Sequence, residues 1–274
     1  MAFTILTNTS SLNAQRNLTK TQNALGTSMS RLSSGMRINR AADDAAGLAI
    51  SENMRADIRS MGQAERNAND GVSLLQTAEG GMNEVSGILT RMRELAMQSS
   101  TDTVGNTERG YAQQEFAALS AEITRISEVT NFNGTKLLDG SASSIQFQVG
   151  VDNTTNDSLT ASIAAMDATT LGVGAIDIST KAGAQGALGT IDTAIQNVSG
   201  ARAGIGALEN RLQVTISNLG TARENTSAAN SRIRDADIAE ESAGLTRSNI
   251  LMQAGVSVLA QANQLPSMAL SLLG

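Results

Sequence analysis

Apolar residues repeat every seven positions along much of the chain, and others fill the steps of three or four between them. The first long series contains Met54, Met61, Ala68, Leu75, Met82, Leu89 and Ala96. This period predicts one continuous apolar face within a helix over 43–99. At 1.5 Å per residue such a helix is about 85 Å long, so one compact domain cannot wrap it and it needs a long partner helix.

Two other segments carry the same period and supply the partners. A second long series contains Ile191, Val198, Ile205, Leu212, Leu219, Thr226 and Ile233, of which Thr226 alone is polar. A shorter series contains Phe116, Leu119, Ile123 and Ile126. The segment 98–110 reads as the loop between the long and the short helix. The sequence therefore predicts a mainly α fold, a long antiparallel helical bundle or coiled coil.

The two ends of the chain have apolar stripes of their own. Near the N-terminus the stripe includes Leu18, Leu25 and Leu32, and near the C-terminus it consists of Leu251, Val258, Leu265 and Leu272. Gly255 and Ala262 run beside the second stripe, and residues 248–274 contain no Lys, Arg, Asp or Glu. Small residues let another helix approach closely, and uncharged side chains are buried at less cost than ions. An amphipathic hairpin of the two ends in water and association with further copies both fit this pattern.

The middle of the chain changes composition. Residues 137–180 contain no Lys, Arg or Glu, and apolar and polar residues alternate on both sides of the turn-rich "DNTTND". This pattern predicts a small β-hairpin with loops that decorates the helices. The predicted segments are an N-terminal helix over 1–42, the N-terminal part of a bundle over 43–140, a hairpin and loop region over 141–181, a bundle helix over 182–234 and a C-terminal helix over 235–274.

Composition excludes most chemistry. The chain has no Cys and no His, which removes thiol and histidine nucleophile systems and most transition-metal sites. We therefore expect a non-enzyme without catalytic residues, cofactor or metal. The net charge of −6 disfavours nucleic acid as a partner. No apolar run approaches the ~20 residues needed to cross a bilayer, and the N-terminus lacks the features of a usual secretory signal.

Several stretches together carry a family resemblance. They are "RLSSGMRINRAADDAAGLAIS" (31–51), "RMRELAMQS" (91–99), "NFNGTKLLDG" (131–140), "FQVG" (147–150) and "ILMQAGVSVLAQANQLPSMALSLLG" (250–274). In this order they resemble the two ends of bacterial flagellin, in a short form that lacks the large outer domains of longer relatives.

The resemblance implies a structural subunit that polymerises into the extracellular flagellar filament for swimming motility. It implies that the two termini pair as an inner helical rod on assembly, so that the stripe of Leu251 and Val258 meets the N-terminal stripe and neighbouring subunits. Segment 37–50 then connects the rod to the bundle, with Asp43 or Asp44 as the cap of the long helix. Export by the flagellar type III route without a cleaved signal peptide is implied as well. The implied partners are other subunits, an export chaperone, and the cap and junction proteins of the filament.

A second implied role concerns a vertebrate host. In many flagellins the surface that contains "RMRELA" and a Glu of the next helix is recognised by Toll-like receptor 5, and Arg91, Leu95 and Glu115 match that pattern. Because the core stripe runs through Leu89, Met92 and Ala96, we expect Arg91, Leu95 and Gln98 on an adjacent, available face of the same helix. The other interpretation is that they are contacts between subunits.

Two alternative functions remain open from the sequence. A hook–filament junction protein would share the ends of the chain but not be expected to match its middle so well. A secreted, membrane-inserting translocator could also have uncharged helical ends. The Ser/Thr-rich region 141–180 fits a solvated loop or a site of O-glycosylation.

Overall fold

The computed structural model describes the backbone of residues 7–271 and the side chains of residues 7–264. The helices are α1 (Thr9–Ser34), α2 (Ala45–Ser99), α3 (Asn106–Val129), α4 (Lys181–Arg234) and α5 (Ile238–Ser271). The strands are β1 (Asn131–Phe132), β2 (Thr135–Lys136), β3 (Ile145–Gln148) and β4 (Ser158–Ala161). The prediction of a mainly helical fold with a small hairpin is confirmed.

The chain divides into two compact units. One, here called the terminal unit, combines residues 1–56 with 225–274, and the other, the central unit, comprises residues 57–224. Helices α2 and α4 contribute residues to both units. The loop expected over 98–110 is shorter than predicted, since α2 ends at Ser99 and α3 already begins at Asn106.

The predicted heptads form the core of the central unit. Along α2 and α4 its fully buried members include Ala68, Leu75, Met82, Leu89, Ala96, Ile191, Val198 and Leu212. Ion pairs across the two helices join Glu65 to Arg223 at 2.7 Å and Arg93 to Asp192 at 2.6 Å. Because the numbers rise along one helix as they fall along the other, α2 and α4 are antiparallel.

Two antiparallel hairpins follow α3. β1 and β2 are joined by Asn133 and Gly134, whose φ angles are 49° and 82°. Both positive values suit a tight Asn-Gly turn, and this sequence signal could have found the hairpin, which the sequence interpretation missed. In the predicted hairpin, Phe147 of β3 pairs with Leu159 of β4. The ring of Phe147 packs so closely on Gly71 of α2 that a Cβ there would lie 3.1 Å from it.

The segment after β4 does more than decorate the helices. Its buried residues are Ile163, Met166, Ala168, Leu171, Val173 and Ile178, and all belong to the same core as the helices. The expectation of a mainly peripheral loop region was therefore wrong for 161–178. Alternation over a few residues predicted the strands but said nothing of this irregular apolar segment.

The terminal unit contains the end of α1 and the break between α4 and α5. Gly35 ends α1 in the left-handed region, with φ 69°, and its N–H donates to the carbonyl of Arg31 at 2.8 Å. The next residues pair with the α4–α5 junction, since the N–H of Arg37 donates to Arg234 O at 2.7 Å and that of Ala236 to Gly35 O at 3.0 Å. Helix α5 then begins directly after Asp237, whose side chain accepts the N–H of Ala239, and continues to Ser271.

Candidate interaction surfaces

Helices α1 and α5 pack against each other along their length in the terminal unit. Leu18, Leu25 and Leu32 are half-buried on this side of α1. Gly255 of α5 lies so close to α1 that a Cβ on it would be 3.1 Å from Leu18 Cδ1. Towards the end of the pair, the Asn8 side-chain amide donates to Ala262 O at 2.7 Å. The predicted N-terminal stripe therefore faces α5.

An ion pair fixes the other end of the same helix pair. Arg31 donates to Glu241 Oε1 at 2.8 Å, and the Glu241 side chain is only 14% exposed. The hydrogen bond from Arg31 is the main reason why the pKa of Glu241 lies below its usual value. This ion pair joins the basic N-terminal segment to the acidic start of α5, because opposite charges attract each other.

Leu251 and Val258, the described members of the C-terminal stripe, were expected to meet α1 but are mostly exposed to solvent in the monomer. Leu251 and Val258 are 52% and 54% exposed, whereas Gly255, Leu259 and Ala262 lie towards α1. The physical reason is close approach: two helices come nearest where side chains are small, so the Gly/Ala side of α5 takes the contact. The side chain of Leu265, and Leu272 altogether, lie outside the described residues.

Several apolar residues of α1 and α5 are open to solvent. Those that are more than half exposed are Leu12, Met29, Ile238, Ile250, Leu251, Val256 and Val258. Among residues 7–264 no side chain buries them. Exposed apolar groups collected on one helix pair are characteristic of a surface that another molecule covers.

The connection between α1 and α2 is held by two neighbouring aspartates. Asp44 is the cap of α2, because its Oδ1 accepts the N–H of Gly47 at 2.9 Å. Asp43 instead accepts the N–H groups of Asn39 and Arg40, at 3.1 and 2.9 Å, and these bonds lower its pKa. Of the two capping candidates, Asp44 is therefore the helix cap and Asp43 closes the preceding loop.

Arg91 and Glu115 meet on the surface of the central unit. Arg91 Nε on α2 donates to Glu115 Oε1 on α3 at 2.9 Å, and Arg91 Nη1 donates to Glu94 Oε2 at 3.0 Å. These hydrogen bonds, that of Glu94 first, raise the pKa of Arg91. The side chains of Arg91 and Glu115 are 50% and 46% exposed, so this charged cluster is open to a partner.

Leu95 is not available as expected, since it is only 3% exposed. The prediction assumed one core stripe along α2, but α3 and other core elements cover a wider arc. Met92, Leu95, Ala96 and Ser99 are all buried in this part of the helix. Of the three residues of the predicted receptor surface, the structure brings Arg91 and Glu115 together and places Leu95 in the core.

No helix among the described residues is long and apolar enough to cross a membrane.

Comparison with known proteins explains this architecture. Residues 5–143 match the bacterial flagellin N-terminal helical region, and residues 188–273 match the bacterial flagellin C-terminal helical region. A flagellin of Halalkalibacterium halodurans is 48% identical over 266 residues, which cover 97% of this chain and 98% of that protein. The chain belongs to the bacterial flagellin family. Members of this family are structural components of the flagellar filament, outside the cell, and not enzymes.

Other flagellins support the same assignment and the short form. The flagellin of Bacillus subtilis is 42% identical over 300 residues, with 97% of this chain and 98% of that protein covered. Flagellin A of Vibrio cholerae aligns at 37% identity over 378 residues, covering all of both chains. Since this chain has 274 residues, the Vibrio protein carries additional segments that are missing here.

Two solved structures are similar in fold. Bacillus cereus flagellin matches with a TM-score of 0.50 and 33% identity, covering 60% of this chain and 94% of that one. A putative flagellar hook-associated protein from Vibrio parahaemolyticus matches with a TM-score of 0.58 but only 15% identity, covering 70% of this chain and all of that one. The second likeness shows a shared fold alone, so it does not favour a junction protein over a filament subunit.

Proposed function

We propose that subunits of this flagellin associate through the α1–α5 pair, which becomes the paired helical inner rod of the filament. The observation that carries the proposal is the set of exposed apolar side chains on α1 and α5, including Leu12, Leu251 and Val258, each more than half exposed. Further copies of the chain would bury these side chains, and at about 25 cal/mol per Å² such burial is a substantial driving force.

The lack of charge in α5 supports association with other copies. Residues 248–274 contain no ionisable side chain of the Asp, Glu, Lys or Arg type, so contact between subunits there desolvates no ion. The polar residues there, such as Gln261 and Asn263, are uncharged as well.

Assembly from seeds tests this proposal. Purified monomer is mixed with fragments of filament and followed by electron microscopy. Growth of filaments from the seeds is expected, and a full-length, folded monomer that never extends them would contradict the proposal. A junction protein would also be distinguished here, because it would bind filament ends without growing long filaments.

We also propose that the released monomer is recognised by Toll-like receptor 5 through the surface around Arg91 and Glu115. Both side chains are about half exposed and hydrogen-bonded to each other, so the guanidinium is held in place with part of its surface free. Arginine in such a position is often a dominant residue of protein interfaces. Leu95 would act from the core, by holding the helix that presents Arg91.

Replacement of Arg91 by Ala should weaken recognition without unfolding the bundle. We expect a loss of roughly 1–3 kcal/mol, or about 5- to 150-fold in potency, because a central hydrogen-bonding and stacking group is removed. The measurement is a dose series of monomer on cells that report receptor activation, with thermal melts of each protein.

Arg125→Ala is the matched control, since Arg125 is another exposed arginine, which pairs with Glu122 on α3. It should keep full potency. An inactive wild type, or an Arg91→Ala protein of unchanged potency and stability, would show that these residues do not form the recognised surface.

The remaining proposed partners are supported by the family and by the exposed apolar residues of α5. We propose that an export chaperone shields the outer side of α5 before assembly, because an uncovered apolar, uncharged helix invites aggregation. We further propose export by the flagellar type III route, and contact with the cap and junction proteins at the filament ends. Loss of secretion in cells that lack the flagellar export apparatus is expected, and continued secretion would refute that route.

A further inference from the structure

Among the described residues, one carboxylate of α4 in the central unit has a buried oxygen without a hydrogen-bond partner. Glu209 of α4 is half-buried, and its Oε1 is shielded from solvent without a donor in contact. A buried, ionised oxygen without a donor is costly, because the water that solvated it has not been replaced. A protonated carboxyl group in the same place has no net charge to solvate.

The charged groups around Glu209 do not offset the cost of burying its ionised oxygen. From α2 the facing group is Glu79, which has the same charge. Arg202, on α4 itself, donates through Nη2 to Glu79 at 3.2 Å, and its Nε is also buried without an acceptor. The cation of this cluster is thus engaged with Glu79 and leaves Glu209 unpaired.

The other surrounding elements add no partner for Glu209 either. Strands β3 and β4 contain no charged residue. Arg211 lines the groove beside Leu159 of β4 and is exposed, and Glu128 near the end of α3 is exposed as well.

We propose that Glu209 is a proton-binding site that makes the packing of α4 on α2 more stable in mildly acidic than in alkaline solution. Two causes act in the same direction: burial first, and then the charge of Glu79, raise the pKa of Glu209. The folded chain therefore holds this proton more tightly than the unfolded chain. The resulting stabilisation is complete below the unfolded pKa of a glutamate and disappears as the pH rises through the folded pKa.

Thermal melts of the full-length monomer between pH 4.5 and 8 test the proposal in wild type, Glu209→Gln and Glu224→Gln. Glu224 is an exposed residue of the same helix and serves as the matched control. From acid to alkaline pH, the Tm of wild type should fall by about 1–3 °C more than that of Glu209→Gln. Glu224→Gln should follow the wild-type curve. If the buried amide shifts the Tm by the same amount at every pH, this shift does not affect the result, because only the change of Tm with pH is compared.

Parallel curves for wild type and Glu209→Gln would overturn the proposal. If Glu209→Gln fails to fold, the side-chain carboxyl carbons of wild type are titrated by NMR instead, with assignment through Glu224→Gln and neighbouring variants. The midpoint for Glu209 should then lie above the usual range for a glutamate, and a midpoint within that range would overturn the proposal.

Discussion

At the scale of single residues, the buried guanidinium of Arg109 holds the turn between α2 and α3. It is 6% exposed and donates to Ser99 O at 2.8 Å, Thr101 O at 2.7 Å and Asn106 Oδ1 at 2.8 Å. Ser99 O is at the end of α2, where carbonyl groups have no N–H donor within the helix, and Thr101 O lies in the loop that follows. Arg109 thus takes the place of a C-terminal helix cap.

Arg109→Ala should destabilise the monomer by about 2–4 kcal/mol, because it leaves buried carbonyl groups without a donor. Chemical denaturation followed by circular dichroism measures this. Arg125→Ala is the control, and its exposed ion pair with Glu122 is expected to contribute less than about 1 kcal/mol. Equal stabilities of the two variants would show that the Arg109 hydrogen bonds do not support the turn.

Residue roles could be predicted only where they depend on neighbours in sequence. The cap of α2 could be predicted to be Asp43 or Asp44, because a cap contacts the backbone three residues further on. The role of Arg109 could not be predicted. The sequence "NTERG" resembles any exposed helix start, and the carbonyl groups that accept from Arg109 come into position only when the loop folds. Leu95 was placed on the wrong face because its burial depends on elements that the local spacing of α2 does not reveal.

At the scale of elements, the contact of α5 with α1 is made by small residues of α5 and not by its Leu251 and Val258. The sequence showed both a large apolar and a small-residue series on α5, but periodicity does not say which series faces α1. The structure places Gly255 against Leu18 and leaves Val258 exposed. The long helices were predicted well, since a heptad sustained over many turns is a property of the local sequence.

Gly255→Leu should loosen this seam, because a side chain there would collide with Leu18 and push the helices apart. We expect backbone amides of α1 to exchange about tenfold faster, which hydrogen-exchange mass spectrometry of the monomer detects. Gly200→Leu is the control, since Gly200 of α4 is exposed and has open space around its Cα. Unchanged exchange in α1 of Gly255→Leu would mean that the close approach is not needed.

At the scale of the whole molecule, the two units differ in how far one chain can cover its own apolar surface. The central unit buries its heptads among α2, α3, α4 and the segment that follows β4. In the terminal unit, α1 and α5 cover each other on one side, and several of their apolar residues stay exposed. The family, and with it the structural role, could be recognised from motifs in the sequence. Which residues of α5 face α1 and which stay exposed could not be predicted, because this depends on the surfaces that the folded monomer leaves uncovered.

The central claim is that the exposed side of α5 is a contact between subunits, and seeded assembly of Val258→Asp tests it most directly. Val258 is 54% exposed in the monomer, so circular dichroism and the Tm should change little. A carboxylate in a dry contact should cost at least about 3 kcal/mol, or roughly a hundredfold in critical concentration. Val258→Thr, which has nearly the same shape and no charge, should still form filaments from seeds. Filaments of Val258→Asp that grow from seeds as readily as wild type would contradict the account.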